Sequence, residues 1–410
     1  MVSEINSAEG LEVKYGLPAN VVFCRKCVIS NQRPTTTLEF QNNSTQTKPT
    51  TAFNADGVCD ACRWAEMKET SIDWKAREHE LEQLLEQHRS NDGSYDVIVP
   101  SSGGKDSGFV AHLLKERFGM HPLTVTWAPH LYTDIGWKNL QGFIHAGFDN
   151  VLITPNGRVH RLLTKLAFRN LGHPFQPFIL GQRNVGPRLA LQHGVKLVFY
   201  GENVAEYGNN WKDNLSPLMK EILITGIDIH NDDLFIGGVT IGELIETHGL
   251  KRSDLLPYAS VNRDAYSKAG IEMHYMSYYK KWIPQENFYY AAENTGFKPN
   301  TERTQGTYSK YSSIDDKIDP FHYFMTMIKF GIGRTTYDAA QEIRTGHITR
   351  EEGVSLVKRY DTEFPDKFFN EFLEYTGLTK EEFWSTVDGF RSPHLWSKDK
   401  NGWALRHQVE

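Results

Sequence analysis

Cysteine is scarce in this chain: four residues in 410, all of them before position 63. Such a count excludes a disulfide-stapled secreted scaffold, whose stability would need a dense cross-link framework. Basic charge is also in short supply. Lysine and arginine total 45 against 51 aspartate and glutamate, a formal net charge of −6. No overall positive field exists to draw in DNA or tRNA, so no nucleic-acid partner is expected. Long apolar runs are missing as well. No stretch reaches the length of a membrane span, and Met1 to Asn20 has neither the basic start nor the apolar core of a signal peptide. A cytoplasmic protein with no membrane association is expected. Internal repeats are absent. What remains is an ordinary globular composition, 39% hydrophobic, in a chain long enough for two or three domains.

The few cysteines are informative through their placement. They read Cys24-x-x-Cys27 and Cys59-x-x-Cys62. Two such pairs can present four thiolates to one tetrahedral Zn2+, each at about 2.3 Å. Redox pairs or disulfides are the alternative. A reducing cytoplasm disfavours disulfides, and neither pair lies in a β-α-β unit as a thioredoxin-like pair would. With four cysteine ligands the metal has no open position, so a structural role is expected. The polar segment Asn31 to Asp56 between the pairs cannot build a core, and metal binding would supply much of its folding energy. Residues 1–70 are therefore read as a zinc-binding module.

A connector helix is predicted over Ile72 to Arg89, with Ser71 as its N-cap. Short apolar strands then alternate with amphipathic helices. Strands are predicted at Tyr95–Pro100, Leu123–Trp127, Val151–Thr154 and Lys196–Tyr200, and helices at Gly108–Phe118, Trp137–Ala146, Val159–Phe168 and Pro187–His193. The pattern implies an α/β fold with a parallel sheet covered on both faces, over residues 71–230. Such sheets bind ligands outside the carboxyl ends of their strands. Residues 231–410 read as mostly helical. Two of those helices begin with capping boxes, Thr349-x-x-Glu352 and Thr379-x-x-Glu382.

The main chemical signal is Ser102-Gly103-Gly104-Lys105-Asp106-Ser107, between the first strand and its helix. Two glycines let backbone N–H groups approach an anion, the helix N-terminus favours negative charge, and Lys105 adds a cation. The Walker A spacing is absent. The motif resembles that of the PP-loop ATP pyrophosphatases. The resemblance implies ATP binding through Ser102, Gly103, Gly104, Lys105 and Ser107, with Asp106 acting on magnesium or phosphate. Further along, Val125-Thr-Trp-Ala-Pro-His130, Thr133-Asp-Ile-Gly-Trp137, Gly201-Glu-Asn-Val-Ala-Glu-Tyr-Gly208, Gly306-Thr-Tyr-Ser-Lys310, Asp315-Asp-Lys317 and Lys329-Phe-Gly-Ile-Gly-Arg334, with the cysteine pairs, resemble the N-acetyl sugar amidotransferases. The resemblance runs from about Phe23 to about Tyr360. That family serves surface-polysaccharide, including lipopolysaccharide O-antigen, and nonulosonic acid biosynthesis.

The resemblance implies conversion of a sugar N-acetyl group to an acetamidino group, with ATP, Mg2+ and ammonia. Transfer of AMP to the amide oxygen makes a good leaving group, ammonia attacks the imidate carbon, and AMP and pyrophosphate are released. Positioning and charge stabilisation carry such chemistry. Asp106 and Glu202, at predicted strand ends, are the expected Mg2+ ligands, with Lys105, Asp106 and Glu202 catalytic. Glu206 is a weaker candidate. Lys317 and Arg334 are expected near the leaving pyrophosphate. His130 and the aromatic stretch Tyr275 to Trp282 face either substrate or core. All four cysteines sit in the metal pairs, so none is left as a glutaminase nucleophile. Ammonia is expected from a separate glutaminase subunit, with a cyclase-like subunit as a further partner. tRNA thiolation is the competing reading. It requires a sulfur-carrying cysteine beside the loop, and none occurs after Cys62.

Overall fold

The computed structural model describes residues 10–410. Five strands form one sheet: β1 (Val97–Pro100), β2 (Pro122–Trp127), β3 (Asp149–Ile153), β4 (Leu197–Tyr200) and β5 (Glu272–Tyr275). The order is β3-β2-β1-β4-β5 and every pairing is parallel. Helices cover both faces, so the central strands are apolar at successive positions rather than alternating. Successive side chains still point to opposite faces. Ile98 and Val198 join Leu123, Val125, Trp127, Leu163 and Leu180 on one side, while Val97, Val99, Leu197 and Phe199 meet Leu85, Val110, Leu114 and Phe143 on the other.

β5 extends the sheet beyond residue 230, into the stretch read from sequence as helical. Its short Glu-Met-His-Tyr run gives little apolar signal. His274 is nevertheless buried, because its Nδ1 lies 2.8 Å from the hydroxyl of Tyr279 and its Nε2 3.0 Å from Glu272.

Three of the helices that differ from expectation do so for clear reasons. The connector runs Trp74–His88 and is capped by Asp73, not Ser71, through the amides of Lys75 and Ala76. The helix expected at Pro187–His193 begins eleven residues earlier, at Gln176. Pro187 lies within it. Proline supplies no N–H to the carbonyl four residues back, that of Arg183. Here the carbonyl accepts instead from the hydroxyl of Tyr200 at 3.0 Å, which satisfies the group the proline leaves free. The third, Asp60–Thr70, was not foreseen: the second cysteine pair opens a helix capped by Cys59, while the first lies in a tight turn closed by Cys24 N to Ile29 O at 2.8 Å.

The C-terminal region is built from helices Asp319–Phe330, Arg334–Arg344, Arg350–Tyr360, Phe369–Thr376 and Lys380–Phe390 around an aromatic core of Phe168, Phe321, Phe372 and Phe383. Both capping boxes form as the sequence predicts. A hairpin, Trp396–Asp399 with Gly402–Leu405, follows the last helix. The cysteine module is fastened to the sheet domain by Glu206, whose carboxylate accepts from Trp64 Nε1 and Lys68 Nζ, both at 2.7 Å. Glu206 is thereby committed to packing rather than to metal.

Candidate functional site

The sheet changes winding direction between β1 and β4, and the crevice outside their carboxyl ends holds the Ser102–Ser107 loop. Gly103 has φ +79°, and a Cβ there would fall 2.7 Å from the Cα of Leu140 and 2.8 Å from the carbonyl of Asn139. Only glycine fits against that neighbouring helix. Gly104 caps the helix Lys105–His112 without a side-chain acceptor, so the first-turn amides are free to meet an anion. The loop is braced from within by Ser101 Oγ, which donates to Ser107 Oγ at 3.0 Å.

The crevice is a cleft of about 420 Å³. Its floor is the loop. Its walls are Arg183, Tyr200 and Glu202 from the β4 side, Tyr275 from β5, and Asp315 and Arg334 from the C-terminal region. The helix Asp134–His145, which packs against the loop, meets the C-terminal region at Gly136, where a Cβ would lie 2.4 Å from the Cα of Asp315. A second chamber of about 390 Å³ adjoins the first. Lys105, Asp106, Glu202 and Arg334 line both and mark their junction.

At that junction Asp106 pairs with Lys105 and accepts from Asn287 Nδ2 at 3.2 Å. Glu202 accepts from the hydroxyl of Tyr207. Burial and the nearby negative charge of Asp106 push the Glu202 carboxyl up to about 7, against the pull of Tyr207 and Lys105. A buried carboxylate held above its usual range beside a second carboxylate suits a divalent cation with oxygen ligands. Asp315 is likewise held above the usual carboxylate range, by burial and by Asp316. Arg334 opens the helix Arg334–Arg344, lies 3.1 Å from Asp338 and stacks 4.4 Å over Tyr323.

The structure thus brings together Ser102, Gly103, Gly104, Lys105, Asp106, Ser107, Glu202 and Arg334. Lys317 stands apart. Its ammonium reaches toward Glu371 at 3.4 Å, over the ring of Phe368, and it lines neither chamber. His130 is buried, with Nδ1 2.7 Å from Asp316 and its ring packed against His160 and Phe175. Of the aromatic stretch, Tyr279 and Trp282 belong to the core and Tyr275 faces the cleft. Sequence reasoning did not single out Asn287, Arg183 or Arg33 as site residues. Asn287 and Arg183 lie within helices whose patterns show nothing beyond packing, and Arg33 sits in the polar stretch between the cysteine pairs.

The four cysteines converge. Their sulfurs lie within 4.8 Å of one another, with Cys24–Cys62 at 3.8 Å and Cys27–Cys59 at 3.7 Å. A disulfide would need about 2.05 Å. Tetrahedral zinc with bonds of about 2.3 Å places its sulfurs about 3.8 Å apart, so this donor set fits a closed zinc site. The cluster packs against Ala339, Ala340 and Ile343, on the helix that begins with Arg334.

The same C-terminal region carries the relationship to known proteins. Residues 305–410 match the family model of the LPS biosynthesis protein WbpG-like, C-terminal domain. The matched segment supplies Tyr311, Asp315, Arg334, Tyr337, Asp338 and Gln341 to the walls of the two chambers. No curated protein matches the chain. Among the described residues, no helix is long and apolar enough to cross a membrane.

Proposed function

We propose that this chain is an ATP-dependent, AMP-forming amidotransferase of surface-polysaccharide biosynthesis, which turns a sugar N-acetyl group into an acetamidino group with ammonia. The observation that carries this reading is the Ser102–Ser107 loop at the sheet's switch point, whose Asp106 meets Glu202 in one cleft. The similarity of residues 305–410 to an LPS biosynthesis family supports the pathway.

On this reading the loop amides and Lys105 hold the pyrophosphate end of ATP in the first chamber. Asp106 and Glu202 would hold magnesium, which neutralises phosphate charge when bound. The amide oxygen of the sugar attacks the α-phosphorus and pyrophosphate departs. Ammonia then adds to the imidate carbon, loses protons, and AMP leaves with the former amide oxygen. Arg334, at the junction, is placed to stabilise charge on the departing phosphates.

The thiolation reading lacks a sulfur carrier. All four cysteines sit in the buried cluster, and none lines either chamber. Asp106→Ala tests the assignment of the loop. Its side chain is about a third exposed and its partners are Lys105 and Asn287, so the variant should fold but lose pyrophosphate formation by about 10²-fold or more. Turnover near that of the native protein would remove Asp106 from the mechanism.

A further inference from the structure

The second chamber is walled in part by one face of the helix Arg334–Arg344. Arg334, Tyr337, Asp338 and Gln341 follow the i, i+3, i+4, i+7 spacing of a single face. The opposite face, Ala339, Ala340 and Ile343, rests on the cysteine cluster. The metal module therefore backs the chamber wall directly, and it also sends one residue inside. That residue is Arg33.

Arg33 is 7% exposed, yet among the described residues no carboxylate pairs with it. Nη1 donates at 3.3 Å to the carbonyl of Pro34 and to Asn209 Oδ1, Nε has no partner, and Nη2 makes no protein hydrogen bond. The ring of Tyr337 lies 5.5 Å away. A buried guanidinium without a counter-charge is costly, and such groups are kept where an anion completes them. The chamber's own acids are spoken for: Asp338 by Arg334 and Thr307, Glu342 by Tyr308 and Tyr311, Asp106 by Lys105 and Glu202 by Tyr207. None turns to Arg33. Of the thiolate cluster, Cys59 lies close enough to favour the Arg33 cation, but burial outweighs it and no cysteine hydrogen-bonds the guanidinium.

We propose that the second chamber seats the acceptor, and that Arg33 binds an anionic group of that acceptor, a carboxylate or a phosphate. That the acceptor is a sugar rests on the amidotransferase reading; that it is anionic rests on Arg33. The planar fork of arginine matches either oxyanion in two parallel hydrogen bonds. The zinc module thereby takes part in substrate recognition as well as in folding.

The test is equilibrium binding to the full, zinc-loaded chain without ATP. The probes are N-acetylneuraminic acid for the carboxylate, UDP-N-acetylglucosamine for the phosphate, and neutral N-acetylglucosamine. At least one anionic probe should bind tenfold or more tighter than the neutral sugar. Arg33→Met should abolish that preference while leaving zinc content and ATP binding unchanged, and Arg33→Lys, which keeps the charge but loses the fork, should restore part of it. If Arg33→Met loses its zinc, the comparison of Arg33→Lys with the native chain decides, with weaker anion binding expected. Equal binding of neutral and anionic sugars, binding of neither anionic probe, or unchanged affinity in the variants overturns the assignment. Anion binding that depends on Arg33 without amidine formation would refute the amidotransfer reading alone. Amidine formation from a sugar whose binding ignores Arg33 would refute the Arg33 site alone.

Discussion

Replacing Gly103 with alanine applies two strains at one atom. The residue holds φ +79°, where an L-residue costs about 1–2 kcal/mol. The new Cβ would also sit 2.7 Å from Leu140 Cα and 2.8 Å from the carbonyl carbon and oxygen of Asn139. These are backbone atoms of the helix Asp134–His145 and cannot swing aside. Overpacking of that kind costs about 1–3 kcal/mol, for a total of roughly 2–5 kcal/mol. A domain of this size shifts its melting temperature by about 2–4 °C per kcal/mol, so Gly103→Ala should melt roughly 4–20 °C below the native chain. Gly104→Ala is the matched control. Gly104 has φ −75°, and its added Cβ would meet only Ser102 Oγ at 3.4 Å, so it should melt near the native value. Scanning calorimetry on the two variants reads the difference. Equal melting temperatures would refute the loop geometry on which the proposed phosphate site rests.

Purified protein should carry about one zinc per chain by elemental analysis, and Cys59→Ser should lose both the metal and solubility; metal-free native protein with redox-active thiols would contradict the assignment. Because the Glu202 carboxyl is raised to about 7 in the folded chain from an ordinary 4.5, the folded state binds more protons between those values, and stability falls as pH rises through them. Glu202→Gln, which cannot ionise, should therefore gain in melting temperature relative to the native chain as pH rises from about 5 to about 8.5 in magnesium-free buffer; a pH-independent difference would show that Glu202 is not strained. With glutamine as the sole nitrogen source and no added subunit, the isolated chain should form no amidine, whereas ammonium should support turnover that increases with pH above neutrality; efficient use of glutamine would reveal a glutaminase site within the chain.

The features legible in the sequence were those whose physics is local. The Ser102–Ser107 loop, the cysteine spacing and the capping boxes at Thr349 and Thr379 each involve residues within a few positions of one another, so their patterns survive in one dimension. β5 did not, because its burial depends on His274 finding Tyr279 and on a strand, β4, more than seventy residues earlier. The helix Gln176–His193 was cut short because Pro187 reads as a boundary, and its tolerance depends on Tyr200, a residue on another element. Lys317 and Arg334 looked alike in sequence, both single cations between helical segments. Only the fold separates them, by giving one a surface carboxylate and the other a place at the junction of two chambers. Arg33 left no mark at all, since an unpaired charge is defined by what is missing around it.

The central claim is nitrogen transfer coupled to AMP formation, and isotope transfer tests it most directly. The chain, ATP, magnesium, an N-acetyl sugar acceptor and ¹⁵N-ammonium are combined, and the sugar product is examined by mass spectrometry alongside the nucleotides. The account predicts a product in which one oxygen is replaced by a labelled nitrogen, with AMP and pyrophosphate formed in equal amount to it. Pyrophosphate and AMP released without label in the sugar, or label incorporated with ADP as the nucleotide product, would contradict it.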